Sequence, residues 1–98
     1  MNDVTSVAVS ALAAYGKKQA VTANNVANIN TPDYRASTVV MKEDKAGGVS
    51  PTVTQGQDTV DISKEAVDMI TTGHAFKANL KVLQAKDEMT RELLNIKA

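Results

Sequence analysis

Few residues in this chain have the type and spacing to do chemistry. His74 is the single histidine, the one side chain whose ordinary pKa lies near neutrality. It has no second histidine, cysteine or paired nucleophile beside it, so it lacks the company of a metal ligand or a general base. Asp87 and Glu88 could in principle hold a cation. Adjacent helical positions point about 100° apart, however, so the two carboxylates cannot converge on one ion. Gly47-Gly48 is not followed by the Lys-Ser/Thr and helix start that a phosphate loop requires. His74 therefore reads as a solvated or interfacial helix residue, Glu88 as a solvent-facing acid and Asp87 as a polar seam position. No catalytic residue, cofactor or metal ligand is assigned, and the chain is not read as an enzyme.

Composition points the same way. The 98 residues are 43% hydrophobic but only 3% aromatic, so the apolar content is mainly Ala, Val, Leu, Ile and Met. That mixture suits helix–helix packing. Eleven basic and eleven acidic residues cancel, which argues against nucleic-acid binding by a basic face and leaves self-association unopposed by net repulsion. There are no cysteines, so disulfides and thiolate metal sites are excluded. No segment approaches the ~20 apolar residues of a membrane span. The start, Met1-Asn2-Asp3-Val4, has no basic region of the kind that opens a cleaved signal peptide.

The pattern predicts one domain over 1–98: an N-terminal helix over 3–29, a loop and β-hairpin over 30–60, and a C-terminal helix over 61–97. In the first helix, capped by Asp3 or Thr5, the stripe Val4, Ala8, Ala11, Tyr15, Thr22, Val26 and Ile29 recurs at spacings of three and four. Val7, Ala11, Ala14 and Val21 form a second stripe. Numerous alanines permit close approach of another helix, and Gly16 marks a weak point. Ser37–Lys42 and Val49–Gln55 read as strands around the turn cluster Asp44–Gly48, with Pro51 limiting the second to an edge. A two-stranded hairpin is marginal alone, so it must lean on the helices or a neighbour. In the last element, capped by Asp61 or Ser63, Ile62, Met69, Phe76 and Leu83 repeat every seven residues. Ala66, Gly73, Leu80 and Leu94 follow a second track, with Asp87 in its fourth slot, and Ala75, Val82, Met89 and Ile96 a third. Sevenfold repeats predict a coiled-coil-like seam, and three tracks predict more than one packing partner. The fold class is mainly α: two long antiparallel helices with a small β-hairpin between them. The Val4–Ile29 stripe is expected to lie against the Ile62–Leu83 tracks.

Between the first helix and the hairpin lies Ala23-Asn24-Asn25-Val26-Ala27-Asn28-Ile29-Asn30-Thr31-Pro32-Asp33-Tyr34-Arg35. Asn is poor inside helices and good at their C-terminal ends. Pro32 has no N–H and drives Thr31 out of the α region. A helix is expected to stop at about Asn28–Asn30, with Asn24, Asn25, Asn28, Asn30, Thr31, Pro32 and Tyr34 forming the stop. Asn25 or Asn28 is either capping chemistry or a register-fixing hydrogen bond across the helix pair.

The wording of this stretch resembles the helix-terminating signature of flagellar rod, hook and hook-associated proteins, Ala-Asn-Asn-Ile-Ala-Asn followed by Asn-Thr-Pro-Gly-Tyr-Lys. A second resemblance lies in Met69-Ile70, His74-Ala75-Phe76-Lys77-Ala78-Asn79, Lys81-Val82-Leu83, Asp87-Glu88-Met89 and Leu93-Leu94-Asn95. Asp33 stands where the family usually has Gly, Gly73-His74 replaces a Gln-Arg-like pair, and Gln19 replaces a usual Leu. The resemblance implies a short, proximal-rod-like structural subunit of the bacterial flagellar basal body, without the large central domain of longer members. It implies polymerisation with itself and other axial proteins, export without a cleaved signal through the type III apparatus, and a place in the periplasmic part of the rod. No nucleic-acid partner, membrane insertion or cofactor is implied. The assembly surface expected on this reading comprises Val4, Leu12, Val26, Ile29, Met69, Phe76, Leu80, Leu83, Met89, Leu93, Leu94 and Ile96. A small helical-hairpin adaptor or export chaperone that binds a partner helix is the alternative.

Overall fold

The computed structural model describes residues 4–45 and 47–97. Two helices, α1 (Val4–Ala27) and α2 (Ile62–Lys97), flank two strands, β1 (Ser37–Glu43) and β2 (Val49–Gln55). Asp3, one of the two residues expected to cap α1, lies outside the described residues, and Thr5 sits within the helix. Gly16 interrupts nothing, since α1 runs through it as one segment. Asp61 caps α2: its Oδ1 accepts the backbone N–H groups of Ser63 at 3.0 Å and Lys64 at 3.3 Å, two of the donors a helix start leaves unpaired.

The strands pair antiparallel, with Val39 opposite Val53 and Met41 opposite Pro51. The turn between them requires glycine: Gly47 and Gly48 have φ of 94° and 88°, which side chains rarely adopt. At the other end, Ala36 closes the hairpin, accepting from Gly56 N–H at 2.8 Å and donating to the Asp58 carbonyl at 3.0 Å.

The helices run antiparallel. Near one end the Asn25 side chain donates to Glu65, in the middle Gln19 donates to the Met69 carbonyl, and near the other Asn79 donates to the Ala8 carbonyl. The hairpin packs along α1, tied at its base to Asn25 and at its tip to Ser10, whose hydroxyl accepts the Val49 N–H at 3.0 Å. So α1 lies between α2 and the hairpin, and the molecule is long and flat, 63 × 26 × 14 Å. Its radius of gyration, 17.4 Å, exceeds the roughly 13 Å of a compact domain this long.

The heptad tracks do not form the intrachain seam as expected. Of Ile62, Met69, Phe76 and Leu83, only Phe76 and Leu83 are half-buried, whereas Ile62 and Met69 are exposed. Among the described residues, Glu65 and Thr72 are the buried residues of α2, and Ala8, Ala14, Thr22 and Asn25 are those of α1. Hydrophobic residues are abundant, yet among the described residues only two, Ala8 and Ala14, are buried. The physical reason is that α1 presents mainly small side chains. Small side chains bring the helices close, and at close approach short or hydrogen-bonding residues fit the gap better than large apolar ones.

Candidate functional site

Two features stand out: a polar knot where α1 stops, and apolar side chains left outside.

The knot is centred on Asn25, whose residue is 1% exposed. Its Nδ2 donates to the Ser37 carbonyl at 2.8 Å and to Glu65 Oε1 at 2.7 Å. Its Oδ1 accepts the Ser37 N–H at 2.9 Å and the Tyr34 hydroxyl at 3.1 Å. One carboxamide thus satisfies both backbone groups at the first residue of β1, a buried carboxylate on α2, and the phenol at the end of the stop motif. Of the two Asn25 readings, the bond across the helix pair is the observed one. Asn28 does the capping instead: its Nδ2 donates to the Asn24 carbonyl at 2.8 Å and to Asn24 Oδ1 at 2.9 Å, and its Oδ1 accepts from the Thr31 hydroxyl at 3.0 Å.

The chain then reverses through Thr31-Pro32-Asp33-Tyr34. The Tyr34 N–H bonds the Thr31 carbonyl at 3.2 Å, and Asp33 has φ of 61°. Proline second and positive φ third is the pattern of a type II turn. The α-helix ends at Ala27, slightly before Asn28–Asn30, because from Ile29 onward the backbone bonds reach back three residues instead of four. The turn carries Tyr34 back under α1, where its hydroxyl meets Asn25, while Arg35 Nη1 donates to the Gln57 carbonyl. Asn30, Thr31 and Pro32 are exposed. Beside the knot, Lys64 donates to Asp68 at 2.8 Å. That hydrogen bond outweighs desolvation and raises the Lys64 pKa above its ordinary value.

Further along the seam the fit is imperfect. Gln19 Nε2 reaches the Met69 carbonyl at 3.2 Å, but Gln19 Oε1 and the Thr72 hydroxyl are buried without a hydrogen-bond partner. Burial without a partner costs about 1–3 kcal/mol per group.

The expected assembly residues divide in two. Leu12, Val26, Phe76 and Leu83 are half-buried between the elements. Val4, Ile29, Met69, Leu80, Met89, Leu93, Leu94 and Ile96 are exposed. The last four lie where α2 runs past the described start of α1. Thr5 lines an open surface pocket with Leu83, Lys86, Asp87 and Thr90, and every residue from 84 to 96 is exposed. Met89, Leu93, Leu94 and Ile96 are 66%, 61%, 64% and 77% exposed. The chain exposes 7102 Å², against about 5,400 Å² for a compact monomer of its mass. His74 is exposed, and Asp87 pairs with Arg91 at 3.1 Å on the same helix. Sequence reasoning missed Glu65, Thr72 and Asn79 in the seam. Their own seven-residue spacing was the available signal.

Comparison with known proteins follows these elements. The family described as flagella basal body rod protein matches residues 6–35, which covers α1 and the stop motif. The family described as flagellar basal body rod FlgEFG protein C-terminal matches residues 58–96, which covers the approach to α2 and nearly all of it. The flagellar hook protein FlgE of Caulobacter vibrioides is 42% identical over 52 residues, 53% of this chain and 9% of that protein. This chain therefore corresponds to a small part of that relative. With both helices matched, each with its own signature, the chain belongs to the flagellar rod and hook protein family.

Proposed function

We propose that this chain is a structural subunit of the bacterial flagellar basal-body rod and that it polymerises through its two helices. The observation that carries this reading is the inverted burial: the seam inside the chain is small and polar, while Met69, Leu80, Met89, Leu93, Leu94 and Ile96 point outward. Its exposed surface exceeds that of a compact monomer by about 1,700 Å², the size of a standard protein interface. Large apolar side chains are worth ~1.5–3 kcal/mol each when buried, and on this reading further copies and other axial proteins bury these.

On this reading the knot is a fixture. It holds the hairpin and the start of α2 at set angles to α1, so that the apolar faces are displayed in one geometry. The helices and hairpin act as one domain, and the partners are further copies and other axial proteins. Export through the type III apparatus, without a cleaved signal, and a position in the periplasmic part of the rod rest on the family resemblance. Gel filtration with light scattering over a concentration series, with and without other rod proteins, tests the proposal. Concentration-dependent growth beyond a monomer is expected. A monomer at all concentrations that also ignores rod proteins refutes it.

A further inference from the structure

α2 carries a second face, about a third of a turn away from the buried Glu65 and Thr72. Ala78, Val82, Ala85, Met89, Glu92 and Ile96 recur along it at alternating spacings of four and three, and all are exposed. That is the spacing of a two-helix seam, and in it the small Ala78 and Ala85 alternate with Val82, Met89 and Ile96. One flank of this track carries Lys81 and, seven residues on, Glu88. Both are exposed, and neither has an ion pair among the described residues.

A second copy of the same helix, laid antiparallel, fits this pattern in one register. Val82 meets Ala85 and Met89 meets Ala78, so each large side chain lies over a small one, and a two-fold axis repeats both layers. The two-fold axis keeps like flanks on the same side, so Lys81 of each helix stands beside Glu88 of the other. Glu92 falls opposite Ala75 and next to His74. On the other flank Lys86 meets Asn79, while Arg91 stays with Asp87 at the back of its own helix. The competing arrangements are repulsive. A shift of seven residues sets Lys81 against Lys81 in one direction and Glu88 against Glu88 in the other, and a parallel in-register pair sets Lys81 against Lys86. In the antiparallel register, residues 84–97 of each helix lie beside the part of the other that carries its own α1.

We infer that the free chain forms a closed antiparallel dimer through this face of α2, with Met89 over Ala78 and Lys81 against Glu88, each contact made twice. A two-fold contact uses the same patch on both chains, so it stops at two copies and builds no filament. The dimer covers Val82 and Met89. That covering them holds the chain back from polymerising rests on the self-assembly reading above; the dimer itself does not.

Sedimentation of the full chain over a concentration series is expected to show monomers passing to a plateau at two chains. Lys81→Glu and Glu88→Lys each set like charges together at two places, and each is expected to weaken the dimer roughly three- to tenfold, as for two exposed ion pairs. Mixing the two single variants restores wild-type affinity, because every cross-chain pair in the mixed dimer is again of opposite sign. The chain has no cysteine, so engineered pairs report directly. Ala78→Cys mixed with Met89→Cys and oxidised is expected to give a mixed disulfide dimer, and Met89→Cys alone none. A disulfide from Met89→Cys alone overturns the antiparallel register. Growth past two chains without a plateau, with both charge variants at wild-type strength, overturns the dimer but leaves the self-assembly reading standing. A plateau at two chains that rod proteins do not alter supports the dimer and counts against the rod reading. A monomer at every concentration overturns the dimer, and one that also ignores rod proteins overturns both.

Discussion

Asn25→Ala is the sharpest perturbation of the knot. The substitution removes four hydrogen bonds and leaves the Ser37 N–H and carbonyl, Glu65 Oε1 and the Tyr34 hydroxyl without their common partner. Tyr34 and Ser37 are half-buried, so water recovers part of what they lose. Glu65, 3% exposed, recovers little. Orphaned buried groups cost about 1–3 kcal/mol each, and alanine regains some tenths of a kcal/mol in helix propensity. The expected net loss is about 3 kcal/mol, a large share of the 5–15 kcal/mol of an ordinary domain. Asn28→Ala, which removes exposed bonds within one cap, is expected to cost about 1 kcal/mol or less. Asn25→Asp separates the donor role from the acceptor role. It keeps Oδ1 for Ser37 and Tyr34 but sets a second carboxylate against Glu65. The pair then favours a shared proton, so a folded-state carboxyl pKa rises and the penalty shrinks as pH falls from 7 towards 4. Urea unfolding followed by circular dichroism at 222 nm measures all three variants. Equal losses for Asn25→Ala and Asn28→Ala, or an Asn25→Asp penalty that does not change with pH, would refute the argument that the knot is held by this carboxamide.

Asp33→Gly is expected to stabilise the chain by about 0.5–1 kcal/mol in the same assay, because φ of 61° strains any side chain and not glycine. Gly48→Ala is expected to destabilise it by 1 kcal/mol or more on this ground, since the added Cβ would also lie 2.6 Å from Ser10 Oγ. Loss of the Ser10 contact would appear as faster amide exchange at Val49. Thr72→Val removes a buried hydroxyl that has no partner and is expected to raise Tm, by about 1 kcal/mol of stability.

The two helices, the hairpin, the stop at Pro32 and the cap at Asp61 were legible in the sequence because each rests on local chemistry. Asp and Pro act on their immediate neighbours, and β-branched runs alternate visibly. The seam was not legible. Hydrophobic periodicity looks for large apolar residues inside, and here Glu65, Thr72 and Asn79 lie between the helices while Ile62 and Met69 lie outside. Which residues of α1 these polar side chains meet is a tertiary property, as the bonds from Asn25 to Glu65 and from Asn79 to the Ala8 carbonyl show. Asn25 illustrates the same limit. Its side chain was a candidate for a cross-helix bond, but its four partners sit at 34, 37 and 65 and meet only once the turn at Asp33 has reversed the chain. The outward apolar tracks were visible, yet a sequence pattern does not say whether such a track faces its own chain or another.

The most direct test of assembly through the end of α2 is sedimentation of Leu93→Asp beside Lys97→Asp. Leu93 is 61% exposed, so Leu93→Asp leaves the fold of one chain intact, and matching circular dichroism checks both variants. If copies bury Leu93 in each other, Leu93→Asp shifts the association midpoint to at least about tenfold higher concentration, while Lys97→Asp stays near the wild type. Equal association of Leu93→Asp and the wild type would contradict the account.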